Sequence, residues 1–213
     1  MSRWTEIETF RKVLNEEAAT AARVMESIPS DQYDFRPDPA GRSIGELAWH
    51  LSEIEGCITF DVDYGSFSYE HEVPDMKRPR EVALLANGYR RVHETAAKRL
   101  ESVRNEDLDK SVIFSDGRPM TLRDVLWKEL LHHLIHHRAQ LVTMVRMAGG
   151  TPPGLYGPNR EEMKATENLF VIHAQNKDNK GDVTKASQAA LARSVIATAA
   201  RLTDFVDPLR RQR

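Results

Sequence analysis

Apolar residues recur at every third or fourth position through long stretches of the chain between Thr5 and Ala148. This spacing places their side chains on one face of an α-helix, whereas a half-buried strand would show strict alternation. Polar stretches that contain proline or glycine interrupt the pattern three times. The pattern therefore predicts four amphipathic helices, over residues 5–28, 43–61, 80–103 and 121–148.

Local signals support the ends of these helices. Ser43 and Glu46 have the spacing of a capping box, in which each side chain bonds to the other residue's backbone N–H. Gly149 and Gly150 end the fourth helix, and residues 112–114 in the connector before it are predicted to form one short strand. Four amphipathic helices with modest loops are typical of a four-helix bundle, so we expect an all-α fold.

The composition changes after residue 158. Residues 175–182, QNKDNKGD, are polar and contain a glycine, which predicts a linker. Residues 183–206 have an alanine-rich amphipathic pattern, which predicts an extra C-terminal helix that must dock on the bundle or on a second subunit to be stable. We therefore expect two parts, a four-helix bundle over 1–158 and a C-terminal extension over 159–213.

Charge and hydropathy argue against several classes of protein. The chain has 30 Lys and Arg against 32 Asp and Glu, a net charge of −2, which provides no electrostatic basis for binding nucleic acid or a membrane surface. No apolar run approaches the roughly 20 residues of a membrane span, and the N-terminus lacks the pattern of a signal peptide. The single cysteine, Cys57, excludes an internal disulfide. We expect a cytoplasmic protein that acts on a small molecule.

Four of the eight histidines are clustered in the middle of the fourth predicted helix. They form two pairs with a spacing of four, His132 with His136 and His133 with His137, and either pair lies on one helix face. The apolar stripe of this helix includes His133 and His137, whereas the other pair lies on the side of Lys128. We therefore expect His133 and His137 to face the bundle, where a shared metal ion would offset their lost hydration.

A third ligand is available on the second predicted helix. His50 lies on its apolar stripe, so that His50, His133 and His137 together would form a three-histidine site for zinc, nickel or a similar divalent ion. Such a site keeps coordination positions open, as catalytic zinc sites do. Glu53 follows His50 by three residues and is a candidate to orient it or to relay a proton. The alternatives are core histidines that are bonded to polar neighbours and a partly exposed glutamate.

Two further residues near these positions are more consistent with structural roles. Cys57 lies about 10 Å along the helix axis from His50, too far to bind the same ion, and is expected to be a buried, inert thiol. Arg138 is a candidate to bind an anionic substrate, but an ion pair with a helix carboxylate is the preferred interpretation.

Three stretches of the sequence resemble the DinB/YfiT-like four-helix bundle metalloproteins. The first is FRP at 35–37 with RSIGELAWHL at 42–51, and the third is GTPP at 150–153 with YGP at 156–158. The second, HLIHHRAQL at 133–141, matches the family signature H-x-x-x-H-R-G-Q, with Ala139 in place of the usual glycine. The resemblance covers about residues 5–158.

The resemblance implies a metal ion held by His50, His133 and His137, and a homodimer. Family members with known activity include metal-dependent transferases that use low-molecular-weight thiols such as bacillithiol or mycothiol in stress responses. We therefore expect a transferase that activates such a thiol cosubstrate for attack on an electrophile. Two alternatives stay open: a hydrolase that uses metal-bound hydroxide, and a stress-induced dimer that binds a metal or ligand without catalysis.

Overall fold

The structure is a computed structural model that describes residues 4–178 of the chain. It confirms the expected all-α four-helix bundle. The first three helices are α1, Glu6–Glu26, α2, Ile44–Tyr64, and α3, Val82–Leu100. A fourth helix, α4, starts at Leu122 and ends at Met147. Each of α1 and α2 packs against both α3 and α4, so the four helices enclose one core.

The core consists of two apolar clusters, one at each end of the bundle. The first includes Val24 and Met25 of α1, Leu51 of α2, and Leu134 and Leu141 of α4. The second combines the opposite ends of the same helices with the connector that follows α3, and it is lined by residues such as Phe10, Ile54, Leu108, Leu126 and Leu130. His133, the first histidine of the inward pair, follows Leu130 by three residues and lies between the two clusters in the sequence.

The capping box at the start of α2 is confirmed. The Glu46 N–H donates to Ser43 Oγ at 3.2 Å, and the Ser43 N–H donates to Glu46 Oε2 at 2.9 Å. Ser43 is fully buried, and such a cap contributes about 1 kcal/mol. The cap fixes the start of α2 at Ile44, and His50 lies about two helical turns after the cap.

Two short elements precede α4. A 3₁₀ turn covers Asn105–Asp107, and a hairpin pairs β1, Ser111–Ile113, with β2, Pro119–Thr121, in antiparallel register. The predicted strand over 112–114 is therefore shifted by one residue. Phe114 ends it because its N–H donates to the Arg118 carbonyl at 2.9 Å, which closes the turn, and its ring is buried.

The helix α4 is less regular than its sequence predicts. It begins with an α-helical turn, Leu122–Asp124, continues as a π-helix over Val125–His132 and ends as a regular α-helix, His133–Met147. The sequence predicts one α-helix because no residue type specifies the i→i+5 hydrogen bonds of a π-helix. His133 and His137 both lie in the regular part, so their spacing of four keeps them on one face.

The described residues from Arg160 to Asp178 belong to a second compact unit, separate from the one that contains residues 4–159. Its described part is the helix α5, Arg160–Asp178, which the sequence analysis does not predict. Residues 175–178, which we expect in a linker, form the last turn of this helix instead, and the predicted helix over 183–206 lies outside the described residues. No helix in the described part of the chain is long and apolar enough to cross a membrane.

Candidate metal centre

The structure brings together the three histidines that the sequence analysis selects. One potential ligand atom from each of His50, His133 and His137 lies within 4.8 Å of the other two. The Nε2 atoms of His133 and His137 are 2.9 Å apart, and the His50 ring centroid is 4.8 Å from that of His137. Among residues 4–178, no other group of His, Cys, Asp and Glu side chains has this arrangement.

Each of these imidazoles has a separate partner for its other nitrogen, Nδ1. His50 Nδ1 is 3.0 Å from Glu53 Oε2, and His137 Nδ1 is 2.7 Å from Gln140 Oε1. His133 bonds to the backbone of Glu129, one helical turn earlier. An acceptor at Nδ1 holds the proton on that nitrogen and leaves Nε2 free to bind a metal ion. For His50 and His137, Nε2 is therefore the nitrogen available to bind an ion.

Burial keeps two of the imidazoles neutral. Partial burial, together with the neighbouring imidazole of His50, lowers the pKa of His133 below its usual value. The pKa of His137 falls to about 4, mainly through burial and against the opposing effect of Gln140. A neutral imidazole is the form that binds metal ions. At neutral pH, an ion therefore displaces no proton from either residue.

The other pair of histidines is exposed, as the apolar stripe predicts. His132 and His136 both lie on the solvent side of α4. His136 Nε2 is 3.0 Å from the amide nitrogen of Gln140, the residue whose oxygen faces His137. Sequence reasoning missed Gln140 as a site residue, although its place in the H-x-x-x-H-R-x-Q signature was a signal for it.

Glu53 lies beside the histidine cluster, where its Oε2 is 3.0 Å from His50 Nδ1, a contact that an orienting group would make. The Glu53 side chain is 41% exposed, compared with 16% for the His50 side chain. Glu53 is therefore both in contact with His50 and partly exposed to solvent. Glu129 does not point its carboxylate at the histidines, since its Oε1 pairs with Arg118 at 3.2 Å.

Arg138 has a structural role. Its side chain is 1% exposed, forms an ion pair with the Glu17 carboxylate and donates to the Glu17 carbonyl at 3.1 Å. It also donates to the hydroxyl of Tyr156, which joins the segment after α4 to α1. This arrangement supports the preferred interpretation from the sequence and removes Arg138 from the candidates for substrate binding.

Cys57 is outside the metal centre. It is a free cysteine that contributes no atom to the histidine cluster. Burial, with a smaller effect of the Glu53 carboxylate, raises the pKa of its thiol above the usual value. A thiol with a raised pKa forms little of the reactive thiolate at neutral pH, so Cys57 is a poor nucleophile.

The remaining histidines of the bundle unit bind carboxylates instead of a metal centre. His71 Nδ1 is 2.6 Å from Asp61 Oδ1, and His93 forms a hydrogen bond with the buried carboxylate of Glu55. Each of these pairs joins α2 to a different segment of the chain, which is a structural role.

A cleft of about 430 Å³ opens next to the histidine cluster. His137 and Gln140 form one side of it. Its lining is predominantly apolar, and its volume lies in the range that small-molecule sites occupy. A ligand in this cleft would lie beside an ion held by the three histidines.

The donor set suits a divalent transition metal. Zinc–nitrogen bonds of about 2.0–2.1 Å place tetrahedral ligand atoms roughly 3.4 Å apart. In this protein, the Nε2 atoms of His133 and His137 are 2.9 Å apart, and all three ligand atoms lie within 4.8 Å of one another. Imidazole nitrogens are ligands for zinc, nickel, iron and copper. Three protein ligands leave at least one coordination position for water or substrate.

Comparisons with known proteins agree with the resemblance in the sequence. The uncharacterized protein YrdA of Bacillus subtilis is 25% identical over 156 residues, which cover 73% of this chain and 91% of YrdA. A DinB-like protein from Bacillus cereus matches with a TM-score of 0.57 and 27% identity, over 70% of this chain and 97% of that one. The DinB-like protein YjoA from Bacillus subtilis matches with a TM-score of 0.56 and 25% identity, over 71% and 99% of the two chains. Since the model of the DinB family matches residues 1–177, this chain belongs to the DinB family.

Proposed function

We propose that this protein is a metal-dependent transferase that joins a low-molecular-weight thiol to an electrophilic substrate. The observation that carries the proposal is the convergence of three imidazoles, from His50, His133 and His137, beside an open cleft. No carboxylate or thiolate ligand adds to this set within the described residues. This donor set is typical of catalytic metal sites with exchangeable positions.

In this proposal, the side chains of the protein hold the metal ion and orient its ligands. The three histidines would hold a zinc or nickel ion, which supplies the positive charge that lowers the pKa of a bound thiol. Glu53 and Gln140 keep the protons of His50 and His137 on Nδ1, so that Nε2 stays available. The apolar side chains in the lining of the cleft would pack against the carbon atoms of a bound thiol.

A thiol cosubstrate is compatible with the single cysteine of the chain. Cys57 is not part of the histidine cluster, and the pKa of its thiol is raised. In this proposal, the sulfur nucleophile therefore comes from a small molecule. In the reaction, its thiol proton passes to solvent, a sulfur–carbon bond forms, and the leaving group departs from that carbon with the bonding electron pair.

The first experiment measures metal content in the purified full-length chain. We expect about one equivalent of zinc or nickel in the parent and a loss of this metal in His137→Ala. The matched control is His132→Ala, which removes an exposed histidine from the same helix and should retain the metal. Equal metal content in parent and His137→Ala would contradict the site.

The second experiment tests the chemistry with 1-chloro-2,4-dinitrobenzene and a panel of thiols that includes bacillithiol and mycothiol. We expect a thioether product at a rate that requires both the metal and one of the thiols, and that His50→Ala abolishes. Turnover of ester or amide substrates without any thiol would instead favour the hydrolase. Metal binding without turnover of any kind would favour the non-catalytic binding protein.

The family resemblance also leads us to propose a homodimer in the cytoplasm. Sedimentation equilibrium of the metal-loaded chain tests whether the protein is a homodimer. A monomer at micromolar concentration would contradict the proposal.

A further inference from the structure

The cleft beside the histidine cluster contains one cationic side chain, Arg42. This residue lies in the loop just before α2, across from the residues that α4 contributes. Leu47, Met144 and Met147 supply apolar surface in the same cleft, which His137 also lines. The cleft therefore combines one histidine of the candidate metal centre, apolar side chains, one positive charge and the carboxylate of Asp38.

Arg42 is available for a ligand. Its side chain is exposed and has no ion pair or hydrogen bond with any residue in the described part of the chain. The neighbouring arginines differ in this respect, because Arg36 pairs with Glu46 at 2.8 Å and Arg78 approaches the same carboxylate at 3.8 Å. Glu46 is thus already paired, and it does not neutralise Arg42.

The one carboxylate that lines the cleft, that of Asp38, is engaged by its own loop. Asp38 Oδ1 accepts the Ala40 N–H at 3.0 Å. Its Oδ2 lies 3.6 Å from the position that a Cβ on Gly41 would occupy, so the carboxylate is folded back over that residue. No ion pair joins Asp38 to Arg42 among the described residues.

We propose that Arg42 binds the carboxylate of an anionic thiol cosubstrate. The thiol sulfur would lie at the metal centre next to His137, the carbon chain would cross Met144 and Met147, and the carboxylate would pair with the guanidinium. This inference rests on the proposed thiol transferase and adds the class of thiol that it uses. An arginine and a metal ion at the two ends of one cleft both attract an anion, and arginine binds carboxylates with two parallel hydrogen bonds.

The test compares matched thiols on the full-length, cobalt-substituted protein. The probes are 3-mercaptopropionate and 6-mercaptohexanoate, each paired with the mercaptoalcohol of equal length. Binding is followed through the visible spectrum of cobalt, which changes when sulfur becomes a ligand and requires no turnover. The variants are Arg42→Gln, Arg42→Lys, which keeps the charge, and Arg91→Gln, which removes an exposed arginine of α3 that does not line the cleft.

We expect the parent to bind at least one of the acids about tenfold more tightly than its alcohol, as one charge-assisted contact permits. Arg42→Gln should reduce that ratio to about one, Arg42→Lys should keep part of it, and Arg91→Gln should leave it unchanged. Two outcomes would contradict the role of Arg42 and leave the transferase proposal intact, provided that both kinds of thiol bind. In the first, the parent binds acid and alcohol equally tightly. In the second, the preference for the acid persists in Arg42→Gln. If no thiol alters the cobalt spectrum, both proposals fail.

Discussion

The three imidazoles of the candidate metal centre have three different hydrogen-bond partners besides one another, and for His50 and His137 the contact is at Nδ1. The carboxylate of Glu53 contacts His50, and the amide oxygen of Gln140 contacts His137. The backbone of Glu129 forms a hydrogen bond with His133. Acceptors of this kind set the tautomer and direction of a ligand and raise metal affinity. The contribution of an acceptor to metal binding can therefore be tested by replacing it while all three histidines are kept.

Replacing Gln140 should weaken metal binding without removing a ligand. In Gln140→Ala, the Nδ1 proton of His137 loses its acceptor, and we expect the affinity for zinc to fall about 10- to 100-fold. Competition with a chromophoric chelator measures this affinity. Gln140→Glu keeps an acceptor at the same distance and should retain affinity, so equal losses in both variants would show that Gln140 does not act through His137.

His93 should add stability that depends on pH. Burial opposes its charged form, but the hydrogen bond and negative charge of buried Glu55 outweigh this effect and raise the pKa of His93 above its usual value. A raised folded-state pKa means that the extra stability is complete below the unfolded pKa of about 6.5 and is lost as the pH rises through the folded value.

Urea unfolding at several pH values measures this contribution. The difference in free energy of unfolding between the parent and His93→Gln should be larger at pH 5.5 than at pH 8.5. Because the metal-site histidines are common to both proteins, their own titration largely cancels in the difference. A difference that is constant with pH, or that grows toward pH 8.5, would contradict the ion pair with Glu55.

At the scale of the elements, α2 is positioned by a close contact near its first turn. A Cβ on Gly45 would lie 2.4 Å from Cε2 of Tyr33, a distance that real Cβ atoms do not show. The Tyr33 ring cannot easily move, because it is buried and its hydroxyl donates to the Pro79 carbonyl at 2.7 Å. Glycine at position 45 therefore lets the loop over residues 31–42 pack directly on the helix that presents His50.

Gly45→Ala should destabilise the fold although alanine is the better helix former. Overpacking costs about 1–3 kcal/mol, which exceeds the gain of about 1 kcal/mol in helix propensity. Urea unfolding measures the difference. Gly157→Ala is the control, since nothing lies within 4 Å of a Cβ at that position, and it should change stability little. A Gly45→Ala protein that is as stable as the parent would show that Tyr33 moves aside.

The π-helical part of α4 ends at His132, directly before the first ligand. π-helical turns are rare and occur often next to functional sites. In this chain, the wider turns precede a regular stretch that holds both His133 and His137, so the irregularity leaves the spacing within the pair unchanged.

At the scale of the whole molecule, the metal centre joins two helices that are distant in the sequence. His50 belongs to α2, whereas His133 and His137 belong to α4, and an ion shared by all three would link them in the folded state only. A ligand that binds only the folded state stabilises it, by about 2.7 kcal/mol at one hundred times its dissociation constant.

Zinc should therefore raise the melting temperature of the parent protein in a concentration-dependent manner, and a chelator should reverse the change. His50→Ala should lose most of this response, whereas His132→Ala should keep it. Scanning calorimetry at several zinc concentrations measures the shift. A response of equal size in His50→Ala would mean that α2 takes no part in binding the ion.

The sequence by itself determined the four helices of the bundle and the face on which His133 and His137 lie. Helices that bury one face carry apolar residues at a spacing of three to four, and this spacing can be read directly from the order of residues. It also identified His50 through the same spacing, and the family resemblance agreed. Only the tertiary structure decided the π-helical part of α4, the acceptors at each Nδ1, the burial of Arg138 against Glu17 and the availability of Arg42. These features depend on contacts between residues far apart in the chain or on the exact rotamer of a side chain, and neither leaves a periodic trace in the order of residues.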